Sequence, residues 1–434
     1  MIDKSKLKEI ILSNENFILT QIKRIVKREG IYLPDNLNKV VIFYGVRRSG
    51  KTFVLFDLFK KMSERSLYID FEDERLIDFQ IKDFEKLKEV ALELKPHLIN
   101  KKMVFLLDEI QNIKGWEKFC RRAMERENIE VYVSGSSSKI MPLEIYTELR
   151  GRSWGVEIFP FSFREYLKAK NINTNDKSFI YTAKKALIKN YLLDYLKWGG
   201  FPETIFLKSE FEKKKIIKEY LNAMFFRDLV ERYKITNITL LDCLADKLFS
   251  SFATKFSLSS FYKQYKEKFP FSKDLLFRYY KHFLQSMLVF EVRKFTESTY
   301  KRMRNPAKIY LIDTGLCKRV TSTDSGRLIE NLVFLELKRK DYEIFYFEKR
   351  GECDFIIKTK EDKFLPIQVS FELTKRNRER EIKGIIDACK HLGINKGIII
   401  TYDDEEELKV EDIYIKILPI WKWLLGEKGS GLNI

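Results

Sequence analysis

The stretch that most restricts the fold runs from Val40 to Thr52 and reads Val-Val-Ile-Phe-Tyr-Gly-Val-Arg-Arg-Ser-Gly-Lys-Thr. Its first four residues are the apolar signal of a buried strand. From Gly45 onward it matches G-x-x-x-x-G-K-[ST] without a gap. The glycines let the backbone of Gly45, Val46, Arg47, Arg48, Ser49 and Gly50 wrap closely enough for successive N–H groups to face phosphate oxygens. A helix that follows adds the positive end of its dipole. Lys51 supplies a point charge for the β- and γ-phosphates, and the Thr52 hydroxyl suits a ligand position on Mg²⁺. A strand, a phosphate loop and a helix in that order require an α/β unit with a parallel sheet.

Two further apolar runs complete the pattern. Met103 to Leu107 is followed at once by Asp108 and Glu109. A continuous apolar run suits a strand buried on both faces of a parallel sheet. Carboxylates at its C-terminal end stand where open α/β sheets bind ligands. Asp108 is expected to hold Mg²⁺, directly or through water, and Glu109 to polarise the water that attacks the γ-phosphate. Ile129 to Ser134 forms another strand leading into Gly135-Ser136-Ser137-Ser138, where Ser136 is expected to reach the γ-phosphate or the water. Ser137 or Ser138 equally suits a helix N-cap. A helix is expected over Lys139 to Leu149, then Arg150-Gly151-Arg152, then a strand over Gly155 to Phe159. An arginine there points away from its own phosphate loop and suits a neighbouring subunit's nucleotide. Residues 1–39 carry a helical pattern that ends at the turn Pro34-Asp35-Asn36.

The chain has 434 residues, more than one core usually supports. Eighty-one Lys and Arg against 63 acidic residues leave a net charge of +18, which points to a polyanionic partner. The excess is concentrated between Ser251 and Leu316, where 13 basic and 5 acidic residues give a net +8. Five scattered cysteines lack any C-x-x-C pair, which argues against structural zinc and a disulfide framework. Neither a signal-peptide run nor an 18-residue apolar stretch occurs, so a cytoplasmic protein without a membrane partner is expected.

In the order phosphate loop, Leu106-Leu107-Asp108-Glu109, Gly135-Ser136, Leu149-Arg150-Gly151-Arg152 and Phe159-Pro160-Phe161-Ser162-Phe163-Arg164-Glu165-Tyr166, the chain resembles a group of archaeal and bacterial AAA+-type ATPases. Gly199-Gly200-Phe201-Pro202-Glu203 and Phe226-Arg227-Asp228-Leu229 continue the likeness over nearly the whole length. The resemblance implies ATP and Mg²⁺ as cofactors, Asp108 and Glu109 as the acidic pair, and Ser136 as a sensor. It further implies Arg150 or Arg152 as a finger and a ring-shaped homo-oligomer. A core over 1–175 with an N-terminal helical extension is then followed by a helical lid over 176–246. On turn chemistry alone, the Gly199-Gly200 step reads as a tight helix–helix connection.

Beyond it, helix, turn and helix from Leu258 to Leu284, then Leu288 to Lys294, a basic loop and Lys308 to Ile312 describe a winged helix over 247–316. Its second helix, capped by Ser272, offers Lys273, Arg278 and Lys281 to a major groove. Arg293, Lys294, Lys301, Arg302 and Arg304 would meet phosphates of duplex or branched DNA. Residues 317–434 resemble the PD-(D/E)XK nuclease core. Glu330 and Asp354 match its acidic positions, but Gln368 stands for the expected Glu and Ser370 for the Lys, so loss of catalysis is expected. The reading is of an oligomeric ATPase that couples hydrolysis to binding, clamping or remodelling DNA. The alternatives are a nucleotide-operated switch that binds protein partners and, less favoured, an ATP-stimulated nuclease.

Overall fold

A computed structural model describes residues 2–33, 38–136, 149–174, 184–296, 298, 305–319, 324–359 and 361–426. The expected turn at Pro34-Asp35-Asn36, most of the helix over 139–149, Ser137 and Ser138, and the basic loop residues Lys301, Arg302 and Arg304 lie outside the described residues. The chain divides into two compact units, Met1–Phe159 and Pro160–Ile434.

In the first unit, α1 (Lys4–Gln21) starts at Asp3, whose carboxylate accepts from the Ser5 N–H. Leu7, Ile10 and Ile11 of α1 join the core on one face of the sheet. The sheet contains β1 (Val40–Gly45), β2 (Ser66–Asp70), β3 (Met103–Asp108), β4 (Ile129–Ser136) and β5 (Ser153–Glu157). All of its pairings are parallel, in the order β2-β3-β4-β1-β5. Every residue of β3 is buried, as a strand covered on both faces requires. The helices are α2 (Lys51–Met62), α3 (Phe84–Leu94) and α4 (Trp116–Arg126). β4 runs two residues further than its apolar pattern because Gly45 of β1 pairs with Ser136. β5 begins at Ser153 rather than Gly155 because Val40 pairs with it, and it ends before Phe159.

In the second unit, α5 (Phe163–Ala169) opens with a reciprocal Ser162–Glu165 capping box. It is followed by α6 (Lys184–Trp198), α7 (Pro202–Phe206), α8 (Glu210–Ala223), a π-helical turn over Met224–Glu231, and α9 (Ile238–Ser250). Next come β6 (Thr254–Phe256), α10 (Leu258–Tyr265), α11 (Lys273–Gln285), β7 (Val289–Lys294) and β8 (Ala307–Leu311). Ser272 caps α11 by accepting from the Leu275 N–H. The remainder is α12 (Ser325–Arg339), β9 (Glu343–Glu348), β10 (Glu352–Lys358), β11 (Phe364–Val369), α13 (Arg378–Leu392), β12 (Lys396–Thr401), β13 (Glu406–Val410), β14 (Ile413–Pro419) and α14 (Ile420–Leu425). Nine strands form one sheet, β13-β14-β12-β11-β10-β9-β7-β8-β6. Arg293 and Lys294 of β7 pair with Phe345 and Tyr346 of β9, so the hairpin expected to be a wing continues the sheet of the C-terminal segment.

The Gly199-Gly200 step joins α6 to α7, but its glycines have a further cause. Gly199 has φ +77°, and a Cβ there would lie 1.7 Å from Asp313 Oδ1. A Cβ on Gly200 would meet the Phe161 carbonyl oxygen at 2.1 Å. Buried Asp313 accepts the Gly200 N–H at 2.7 Å and the Gly315 N–H at 2.8 Å. Burial pushes its carboxyl up to about 7.

Candidate nucleotide site

The loop between β1 and α2 turns twice through left-handed backbone, at Arg48 (φ 64°) and Gly50 (φ 96°). The first is a non-glycine conformation costing roughly 1 kcal/mol, of a kind that clusters at functional sites. Gly45 is compulsory on space alone, since a Cβ would stand 2.2 Å from the Ile158 carbonyl oxygen of the neighbouring chain segment. Lys51 is buried in the first turn of α2, and its ammonium donates back to the carbonyls of Gly45 at 3.2 Å and Val46 at 3.0 Å. The Ser49 hydroxyl is fully buried and finds no hydrogen-bond partner among the described residues. An orphaned donor in a loop with this backbone is what a cradle for phosphate oxygens would contain. From the segment after α1, Arg28 donates to the Ser49 carbonyl at 2.9 Å and also to the Phe159 carbonyl, bracing the loop against the end of the sheet.

Asp108 ends β3 on the same edge of the sheet and is 1 % exposed. Four groups hold its carboxylate or bear on it. Tyr68 of β2 donates to Oδ2 at 2.9 Å, and Ser134 of β4 donates to Oδ1, so each flanking strand sends one hydroxyl. Thr52 of α2 also favours the charged carboxylate, while the Glu109 charge disfavours it. Burial, followed by Glu109, pushes the Asp108 carboxyl up, with Ser134, Thr52 and Tyr68 opposing. Burial and the Asp108 charge also push the Tyr68 phenol far up, so it remains a donor. Asp70, paired in register with Asp108, is pushed up to about 7 by burial and then by Asp108.

Glu109 leaves the strand in left-handed backbone, φ 49°, and its carboxylate accepts from the Gln111 amide. Ser136 lies on β4 next to Gly45 and is 1 % exposed, so it occupies a strand position rather than the loop expected for it. Arg150 and Arg152 sit at the opposite end of β1, since Val40 pairs with Ser153 and donates to the Arg152 carbonyl. One six-residue strand, about 17 Å at ~3.3 Å per residue, separates them from the phosphate loop of their own chain. Arg152 forms an ion pair with Glu125, whereas Arg150 is exposed and in left-handed backbone, φ 49°.

The sequence pattern did not single out Arg28, Tyr68, Ser134 or Gln111. Gln111 carried a usable signal, standing two residues beyond Glu109. The other three are defined by contacts across 21, 40 and 26 residues.

The basic residues of the second unit fall into two groups. Lys273, Arg278 and Lys281 lie exposed on α11, with Lys273 over the Tyr262 ring at 5.3 Å. Arg293 pairs with Glu291 and Lys294 with Glu348 at 3.4 Å, so both of these cations are engaged inside the chain. Glu330 and Asp354 converge on Lys308, at 3.2 and 2.7 Å. Gln368 bonds to the Asp354 backbone, and Ser370 faces a separate turn, donating to the Glu372 carbonyl at 3.0 Å. Among the described residues, no group of three or more His, Cys, Asp or Glu is arranged to hold a metal. No helix among them is long and apolar enough to cross a membrane.

A family model described as an AAA domain matches residues 37–167. Two models of unknown function, DUF8612 and DUF4143, match 189–327 and 325–423. An uncharacterized protein of Haemophilus influenzae is 27% identical over 89% of this chain and 94% of its own. The crystal structure of CDC6P from Pyrobaculum aerophilum aligns over 77% of this chain and 98% of its own, with 14% identity and a TM-score of 0.25. The uncharacterized protein MJ1544 of Methanocaldococcus jannaschii is 39% identical over 98% of this chain and 96% of its own. With an AAA domain at residues 37–167, the chain belongs to the family of MJ1544.

Proposed function

We propose that this protein is a Mg²⁺-dependent ATPase whose C-terminal unit binds DNA. The observation that carries the first part is the phosphate loop itself, left-handed at Arg48 and Gly50 with Lys51 buried in the first turn of α2, beside an Asp108 held by Tyr68 and Ser134 at the tip of β3. The Thr52 hydroxyl and the Asp108 carboxylate would hold Mg²⁺ there. When bound, that ion neutralises charge on the β- and γ-phosphates. Lys51 releases the carbonyls of its own loop to meet phosphate oxygens, and Ser49 gains the acceptor it lacks. Glu109, turned out of the strand and held by Gln111, orients the attacking water and takes its proton. Ser136 contacts the γ-phosphate side from β4. Because Arg150 and Arg152 lie a strand's length from their own loop, the finger acts on a neighbouring subunit in a ring. Of the two, Arg150 is the better finger, since Arg152 is occupied by Glu125.

DNA binding is supported by the charge of the 251–316 stretch and by the exposed face of α11. Leu276, Tyr279, Tyr280 and Phe283 bury one side of that helix, and Lys273, Arg278 and Lys281 line the other. Exposed Phe277, at 54 %, lies among those cations and favours the second reading, a nucleotide-operated switch docking a protein. Fluorescence anisotropy with duplex and forked DNA at increasing salt separates them. Phosphate contacts predict a steep fall of affinity with salt, and Arg278→Ala with Lys281→Ala should reduce the salt slope by about 2. No binding at low salt would reject the DNA reading.

A further inference from the structure

Lys308 is an unusual residue for the middle of a sheet. It lies on β8 between β6 and β7, is 4 % exposed, and pairs in register with Lys255 and Val292. An ammonium out of water costs several kcal/mol unless its charge and all its donors are matched. Here the charge is surrounded by carboxylates, and two of the three donors make hydrogen bonds, to Asp354 and Glu330. A lysine has three N–H donors, and three carboxylates converge on this one: Asp354 Oδ1 at 2.7 Å, Glu330 Oε1 at 3.2 Å and Glu352 Oε1 at 3.4 Å. Tyr310, two residues along β8 and so on the same face, donates to Glu330 Oε1 at 2.7 Å.

Two further polar groups beside it are engaged as well. Asp354 Oδ2 accepts the Val369 N–H at 2.9 Å. The Gln368 amide is used at both ends: its Oε1 accepts the Asp354 N–H at 3.0 Å and its Nε2 donates to Glu381 at 2.6 Å. Its oxygen is thus already turned to the Asp354 backbone. Burial opposes the charge on Lys308, but Asp354 and Glu330 outweigh it and hold the ammonium's pKa raised. Burial and the Asp354 charge push the Glu330 carboxyl up against the opposing pull of Lys308 and Tyr310.

We propose that this pocket is a cation site filled from within. The Lys308 ammonium occupies the point where Glu330, Glu352 and Asp354 converge, and a divalent cation of the Mg²⁺ or Mn²⁺ class enters only when that ammonium is removed. The carboxylates that resemble a nuclease centre are in this account a lock holding β8 to α12 and β10. They have no capacity for metal-dependent phosphodiester cleavage while Lys308 is in place. The proposal is independent of the ATPase reading.

The test uses the full chain without nucleotide, with Mn²⁺ binding followed by electron paramagnetic resonance and folding by circular dichroism. Lys308→Ala should gain a Mn²⁺ site absent from the wild type, and adding Asp354→Asn should remove it. Asp354→Asn alone should bind Mn²⁺ as the wild type does. Wild-type binding that Asp354→Asn abolishes would overturn the proposal, as would a folded Lys308→Ala that gains nothing. Should Lys308→Ala fail to fold, the comparison of wild type with Asp354→Asn decides: equal binding upholds the proposal and lost binding overturns it.

Discussion

Replacing Tyr68 by Phe removes one oxygen and little else. The ring keeps its buried position and its edge contact with Phe56 at 5.3 Å. What disappears is the 2.9 Å hydrogen bond to Asp108 Oδ2, leaving the Ser134 hydrogen bond to Oδ1 in place. A hydrogen bond to a charged group contributes about 1.5–3 kcal/mol, so a stability loss of about 2 kcal/mol is expected where Asp108 is ionised. The pH dependence follows from the proton balance. Asp108 already has a folded-state pKa above its unfolded value, so its contribution to stability is present at acid pH and is lost as pH rises through the folded pKa. Without the Tyr68 hydroxyl, which favours the charged form, that folded pKa moves higher still. The gap between wild type and Tyr68→Phe should therefore be widest above the raised folded pKa and shrink as acid protonates Asp108. Urea unfolding across that range measures it. A misoriented Asp108 should also shift the Mg²⁺ dependence of ATP hydrolysis by roughly 10-fold or more. A constant stability gap at every pH, together with an unchanged Mg²⁺ requirement, would refute the positioning role of Tyr68.

Other consequences concern packing and assembly. Gly199→Ala forces a Cβ to within 1.7 Å of Asp313 Oδ1 in left-handed backbone, and should destabilise the fold by more than the ~1 kcal/mol of the backbone conformation alone, read as a lower melting temperature. An unchanged melting temperature would contradict the clamp. Arg150→Ala should abolish hydrolysis in homogeneous oligomers, yet regain part of it when mixed with Glu109→Gln subunits, because some interfaces then pair an intact finger with an intact loop. Failure of such mixing in verified mixed oligomers would place the finger elsewhere.

The parts of the fold that show in the sequence are those written in neighbouring residues. Val40 to Phe43 and Met103 to Leu107 read as buried strands because both faces are covered, and Ser272 reads as a cap because its partner is three residues away. Strand ends did not show: β4 reaches Ser136 only because Gly45 lies beside it. Lys308 read as a polar residue on a wing strand, since its carboxylates stand 22 and 46 residues away and burial is a property of the folded sheet. Arg293 and Lys294 read as cations free to meet phosphates for the same reason, their neutralising Glu291 and Glu348 being indistinguishable in sequence from surface charge. The Gly199-Gly200 step is legible as a turn, but its need for glycine comes from Asp313 and Phe161.

The central claim is that Lys51, Thr52, Asp108 and Glu109 form a hydrolytic ATP site. Its most direct test is single-turnover hydrolysis of radiolabelled ATP by wild type and Glu109→Gln, alongside equilibrium ATP binding. The account predicts that Glu109→Gln retains ATP and Mg²⁺ while its hydrolysis rate falls by 10²-fold or more, on the order of a general base's contribution. Hydrolysis by Glu109→Gln at the wild-type rate, with ATP bound, would contradict it.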